Sequence, residues 1–512
     1  MLFRSVLFSL FHLRKEPSKS ENIALVKIDD ISIKSLGEWP WSRDVIADAL
    51  LRMKELGAAK AIFDVEYISP SKNGINPTAQ QSISSSLSTL SDSVASLVEQ
   101  LSSASTSGFY TTEEIDSLTQ SLIQENLNSE FENLENFVSE SIVRDNDEYF
   151  AQSLQFFGES YLTINHEHFG YEASVEDSDY IKNRLLLKNV EDPKNLISKG
   201  NSFTNKESGE TAGFTPSLHK LITRSYGSNF TNSVIDGDGV RRRMELLYEY
   251  DGEYIPQLAF GPFLDIVQSH EVERTKSHFV IKNALNPLTN QREDIKVPVD
   301  PHGRILINWR KGSCEESFYN ESIFNLINLD LMENIIVTTF SNIASQTIIG
   351  LDGLPLAYFD HANYILDLYS EINQVKENLL NLCTGYDQNG NVLDGISSSD
   401  YEYYFSLRNA FYAESKAFLE QDYLPQIKNR LSELYSIIDE DVLLQIEEYM
   451  NEDFGNLSYV DDFAELYSYL KDFYNGKWCI IGNTATSTTD NGASPLQKKY
   501  MNVGVHATIL NS

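Results

Sequence analysis

The sequence predicts an α/β protein, a mixed sheet flanked by helices, with two inserted helical arms of hairpin or coiled-coil-like pattern. Three observations carry that expectation. Residues 23–67 read as an apolar run, an amphipathic stretch and a second apolar run. Further strand-like segments recur down the chain, and two long blocks with helical spacing interrupt them.

Taken in order, Ile23–Ile28 is an apolar run ending in Asp29-Asp30, the pattern of a buried strand. From Arg43 to Leu56 apolar residues fall at 45, 46, 49, 50, 53 and 56, which is helical spacing, and Gly57 stands where a C′ glycine would. Ala61–Tyr67 is a second strand. Strand, helix and strand at this distance make a βαβ unit, so the two strands are expected to be parallel neighbours. More strand-like material follows at 161–165, 244–250, 278–283, 295–300, 304–309 and 477–483.

Residues 71–143 break this pattern. Ile83, Leu87, Leu90, Val94, Leu97 and Leu101 form a heptad-like stripe. Thr111-x-x-Glu114 then reads as a capping box before a second helix carrying Ile115, Leu118, Leu122, Leu127, Phe131, Leu134 and Val138. A second block, 356–470, has the stripe Ile365, Leu368, Ile372, Val375, Leu379 and Leu382. A turn-rich loop follows at 383–400, and Ile427, Leu431, Leu434 and Ile438 resume the spacing near Pro425. The expected organisation is a juxtamembrane remnant at 1–20, an α/β domain built from 21–70, 144–355 and 471–512, and helical insertions at 71–143 and 356–470.

Forty basic residues against seventy-five acidic ones leave a net charge of −35. That excludes nucleic acid as a partner and argues against simple adhesion to anionic lipid. Cys314, Cys383 and Cys479 are widely spaced, with no CxxC, so neither a zinc site nor a redox motif is expected. No run of 18 apolar residues occurs, so no membrane span is expected. Both ends stop mid-pattern, and the chain reads as a piece of a longer protein.

Candidate chemistry is sparse. Asp236-x-Asp238 opens like a calcium loop, but Val240 and Arg241 fall where ligand and turn residues belong and no Glu closes it. A turn whose arginines pair with acids is the better reading. His166-x-His168 could ligate a metal, but no third ligand is identifiable. No P-loop, nucleophile elbow, HExxH or dinucleotide fingerprint occurs. No cofactor, metal or catalytic residue is assigned.

Several stretches together resemble CHASE2, an extracytoplasmic sensor domain of bacterial membrane receptors. They are LVKIDDISIKSLGEWPWSRDVIADALLRMKELGAAKAIFDVEY, NDEYFAQSLQFFGESYLTIN, NSVIDGDGVRRRMELLYEYDGEYIPQLAF, VPVDPHGRILINWR and WCIIGNTATSTTDNGASPLQKKYMNVGVHATILNS. The resemblance covers a little over half the chain, and the two helical blocks depart from it. It implies a periplasmic sensor that regulates a cytoplasmic output domain, most often a class III adenylate or guanylate cyclase, through flanking transmembrane helices, with a homodimer as the expected assembly. The alternatives are the sensor of a histidine or Ser/Thr kinase, or an adhesion or scaffolding protein working through its arms. The ligand, small molecule or protein, is not specified.

The polar positions that match the family are Asp29, Asp30, Ser32, Arg43, Asp64, Asp236, Asp238, Arg242, Asn308, Asp490 and His506. Ligands favour the carboxyl ends of parallel strands, which points to Asp29-Asp30 and Asp64–Glu66, with Arg43 expected to pair with one of those acids or with an anion. Trp39 and Trp41, either side of Pro40, are expected to pin the strand-to-helix corner onto the core.

Overall fold

Strands of the main sheet are β1 (Ile23–Ile28), β2 (Lys60–Asp64), β3 (Ser160–Phe169), β4 (Ala212–Pro216), β5 (Gly227–Phe230), β6 (Tyr319–Ser322) and β7 (Trp478–Asn483). Principal helices are α1 (Asp30–Leu36), α2 (Arg43–Glu55), α3 (Asn146–Phe157), α4 (Phe260–Ile266), α5 (Ile323–Ser345), α6 (Asp360–Asn381), α7 (Ser398–Glu420), α8 (Tyr459–Tyr474) and α9 (Asn502–Leu510). This computed structural model describes residues 15–75, 143–169, 173–199, 212–287, 289–345, 348–349, 355–357, 360–421, 457–486 and 490–512, with isolated positions between them. The chain divides into two compact units, one of Met1–Trp41, Val45–Pro70 and Phe150–Ser512, the other of Ser42–Asp44 and Ser71–Tyr149.

The larger unit is built on the main sheet, in the order β6-β1-β7-β2-β3-β4, with β5 also pairing β3. All its pairings are parallel except β3 with β4. β1 and β2 are parallel, as the βαβ pattern requires, but they are not neighbours. β7 lies between them, pairing Ile23 with Trp478 on one side and Lys60 with Trp478 on the other. A strand more than 400 residues downstream completes the centre of the sheet. Covering on both faces explains why β1, β2 and β7 are almost unbroken apolar runs: Ile23, Val26, Ile62 and Ile480 are fully buried.

Secondary sheets lie beyond the main one. The expected strand 244–250 is two strands, Arg243–Glu245 and Leu247–Tyr250, with different partners. His278–Asn286 and Gln291–Pro298 form an antiparallel hairpin, and Arg304–Leu306 pairs with Arg243–Glu245.

α5 has the length and mean hydropathy of a membrane span over Ile323–Ala344, against the sequence expectation of none. Its surroundings are those of a core helix. It packs on β1, β6 and α1 and on α6 and α8, with Leu326, Leu329, Ile336 and Phe340 buried. It also carries the buried, ion-paired Glu333.

α6 buries the predicted stripe residues Ile365, Leu368, Ile372 and Leu379, whereas Leu382 lies past its end and is exposed. α7 starts at a capping box between Ser397 and Asp400. The positions 427–438 lie outside the described residues.

Two guanidinium groups tie α7 to α2 and α5. Arg52 of α2 donates to Asp330 (2.6 Å), Glu55 (2.7 Å) and Glu333 (2.9 Å). Arg408 of α7 grips both oxygens of Glu333, at 2.9 and 2.8 Å, and reaches Glu55 at 3.2 Å. Tyr412 donates to Glu333 (2.9 Å), and Tyr404 to Glu55 (2.5 Å). Arg52, Arg408 and Glu333 are all buried. Burial works against the Arg52 charge, but Asp330, Glu333 and Glu55 outweigh it and hold the guanidinium protonated.

In the smaller unit, Arg43 forms a buried ion pair with Asp147. Asp147 also accepts from the Ser71 amide at 3.1 Å, and Arg144 pairs with Asp44 at 2.9 Å. The capping box at 111–114 forms, with the Thr111 amide and hydroxyl both donating to Glu114 (2.8 and 2.9 Å). Most of the helical stripe positions 83–101 and 115–138, like residues 1–14, lie outside the described residues.

Candidate functional site

The carboxyl ends of the parallel strands gather polar side chains. β1 is followed by Asp29, which caps α1: its Oδ1 accepts from the Ser32 amide at 3.0 Å, and the Ser32 hydroxyl accepts from the Asp29 amide at 2.8 Å. The Ser322 hydroxyl, at the end of β6, also donates to Asp29 Oδ1 (2.8 Å). Asp30 accepts from the amide and hydroxyl of Thr486 (2.8 and 2.9 Å), so it holds the segment after β7. These two acids are used in shaping the backbone.

Asp64, at the end of β2, faces α9. Its Oδ1 lies 3.4 Å from His506 Nε2, and His506 Nδ1 lies 2.7 Å from Gln257 Nε2. The tautomer follows from Gln257. Its Oε1 accepts from the Ala259 amide at 2.6 Å, so Nε2 donates to His506 Nδ1 and the imidazole proton sits on Nε2, aimed at Asp64. His506 is buried, as is Gln257. α9 comes this close because residue 482 of β7 is glycine. A Cβ there would stand 2.7 Å from Val503 Cγ2.

Asp490 completes the cluster, accepting from the Asn502 side chain and amide at the start of α9. Arg241 donates to Asn502 Oδ1 at 2.6 Å. Its guanidinium lies over Gly492, so a Cβ there would have to displace the end of the Arg241 side chain. Burial raises the Asp490 pKa, and the nearby Asp64 adds to the rise. Burial lowers the Arg241 pKa, against the pull of Asp490 and Asp64. Among the described residues, Asp64 Oδ2 and Arg241 Nε are buried without a hydrogen bond.

The sequence-nominated residues therefore fall into separate groups. Asp64, Asp490 and His506 come together. Asp236 and Asp238 pair with Arg242 (3.0 and 2.9 Å), and Asp236 also pairs with Arg243, closing the turn expected there. Arg43 pairs with Asp147 rather than with an acid at a strand end. Trp39 and Trp41 pack edge to face on one another at 5.0 Å, and the Trp41 indole donates to the Gly37 carbonyl at 2.9 Å. Both residues are partly exposed. Sequence reading missed Gln257, Asn502 and the inward role of Arg241. Only a recognised packing between the 235–244 turn and α9 could have separated Arg241 from its two neighbours.

His166 is buried with its ring 3.9 Å from that of Tyr248 and 5.2 Å from that of Phe230. Burial pushes its pKa down to about 4. An unfolded histidine takes up its proton near 6.5, so between those values the unfolded state binds more protons. Stability should be unaffected above that window and fall by roughly 3 kcal/mol as pH drops through it. Denaturant melts at pH 7 and pH 4.5 check this, with His166→Phe expected to lose that part of the acid sensitivity. Cys314, Cys383 and Cys479 are buried free thiols, and burial pushes the first two up to about 12.

Among the described residues no group of three His, Cys, Asp or Glu side chains could hold a metal. The CHASE2 domain family matches residues 3–343, a span that includes the block at 71–143 and stops before β7 and α9. Those later elements join it through the structure, since β7 is the strand between β1 and β2. Neither curated proteins nor solved structures give a match. With two thirds of its length matched, the chain belongs to the CHASE2 family of extracellular sensor domains.

Proposed function

We propose that the chain is the periplasmic sensor region of a bacterial transmembrane receptor and regulates a cytoplasmic class III adenylate or guanylate cyclase as a homodimer. One observation carries the reading. The Asn511 side chain, just past α9, accepts from the Ser20 amide (2.9 Å) and donates to the Ser18 carbonyl (3.1 Å). Nearby, Arg310 pairs with Glu16 at 3.4 Å and donates to the Pro17 carbonyl. The segment leading into β1 and the segment leaving α9 thus run side by side. Helices continuing from both would enter the membrane together, and a shift of α9 against the sheet would move one relative to the other.

The test uses the full-length receptor in its membrane. An epitope set into the exposed turn at 387–391 should be reached by antibody in intact spheroplasts, and the same membranes should form cyclic nucleotide. An epitope exposed only after lysis would refute the location. Phosphoryl transfer to protein in place of cyclic nucleotide would replace the cyclase by a kinase.

A further inference from the structure

Beside α9 the core opens into a groove. The groove, of about 440 Å³, lies between α4, the strand Gln291–Pro298, the strand Arg304–Leu306 and the end of α9. Phe263, Ile295, Val297 and Leu510 line it as the partly buried margin of the main core, and Leu306 stands 53% exposed at its wall. Its size and apolar lining are those of small-molecule sites, which add a few polar groups to fix orientation. Two such groups are present. Asn308 and Lys296 are both lining residues of the groove, and neither side chain makes a hydrogen bond or ion pair with the described residues. Neighbouring acids are engaged elsewhere: Asp300 by Arg304 at 2.8 Å, and Asp294 by Lys282 at 3.7 Å.

From this geometry we infer that the groove binds a single-chain amphiphile, with its aliphatic body against Phe263, Ile295, Val297 and Leu306 and a carboxylate head at Lys296 and Asn308. Apolar walls favour the chain by removing it from water. In a protein of net charge −35, an unpaired ammonium at the groove supplies the local complement for an anionic head. The occupant would touch Leu510, one residue from the Asn511 that meets Ser18 and Ser20. This names the ligand class of the proposed sensor and rests on that reading for its consequence, while the binding itself does not need it.

Calorimetric titration of the purified chain with dodecanoate and with dodecanol, each below its aggregation concentration, tests the assignment. Saturable one-site binding of dodecanoate is expected. Leu306→Glu, at an exposed position, should weaken both ligands at least about tenfold without changing the far-UV spectrum. Lys296→Ala should weaken dodecanoate about tenfold and leave dodecanol within about twofold. No saturable binding, or binding that Leu306→Glu leaves intact, would overturn the site. Equal losses for both ligands in Lys296→Ala would overturn the carboxylate head. Dodecanoate that binds as expected yet leaves the full receptor's output unchanged would count against the sensor reading and leave the groove standing.

Discussion

Arg408→Ala is expected to lose about 3–5 kcal/mol of stability, because it removes one cation from a buried network and leaves its acids in place. Glu333 would lose a two-pronged grip and Glu55 a contact, with Arg52 left to answer Asp330, Glu333 and Glu55 together. Arg52, Arg408 and Glu333 are each at most 5% exposed, so water cannot replace the missing donor. Deleting charges in matched fashion should hurt far less. Arg408→Met combined with Glu333→Leu would exchange the bidentate pair for apolar contact and should recover most of the loss, since desolvating two ions offsets much of their attraction. Urea melts of the wild type, the single variants and the double variant form the required cycle. Equal midpoints for Arg408→Ala and wild type would show that the network contributes nothing, and additive losses would show that the two groups act independently. The structural consequence concerns orientation. α7 comes from the 356–470 block, and the planar guanidinium of Arg408 accepts the Glu333 carboxylate in essentially one pose, fixing how that helix lies on α2 and α5.

His506→Ala is expected to cost about 3 kcal/mol, the sum of a cavity under α9, a buried Gln257 amide left without its acceptor and a buried Asp64 carboxylate left without the imidazole beside it. Asp64 Oδ1 would lose the Nε2 proton, with its Oδ2 already lacking a donor, and the Gln257 amide would lose its acceptor. Gln257 cannot simply turn over, because the Ala259 amide holds its Oε1 in place. Removing the carboxylate should therefore cost less once the imidazole has gone. In thermal melts, Asp64→Ala should destabilise the His506→Ala background by clearly less than it destabilises the wild type. Equal effects in both backgrounds would mean that Asp64 and His506 are uncoupled. Because Asn511, just past the end of α9, bonds to the segment entering β1, the same variant should also loosen the contact between these two segments.

Local pattern was legible in the sequence. β1 runs over the residues that its apolar pattern marks, α2 ends one residue before the expected boundary, and the capping box at 111–114 forms as its residue types require. α7 was not legible, for a physical reason. Its buried face is Tyr404, Leu407, Arg408, Phe411, Ser415 and Phe418, so a charged, a hydroxylic and a phenolic side chain interrupt the apolar period. The strand-end rule found Asp64 because β2 is recognisable, and it found Asp29 too, which the fold uses as a helix cap.

By itself, then, the sequence determined the class of fold, the family and four of the main sheet's seven strands, since side-chain periodicity, caps and turns act over a few residues. Tertiary structure decided that β7 separates β1 from β2, that α5 is a core helix, and that Arg241, rather than Arg242 or Arg243, turns toward Asn502. It also decided that Asp64 meets His506 and that Arg43 meets Asp147. Each of these depends on groups 100 to 450 residues apart. Hydrogen-bonding and charged side chains have many possible partners along a chain this acidic, and only closure of the sheet and docking of the helices determine which of them are buried together.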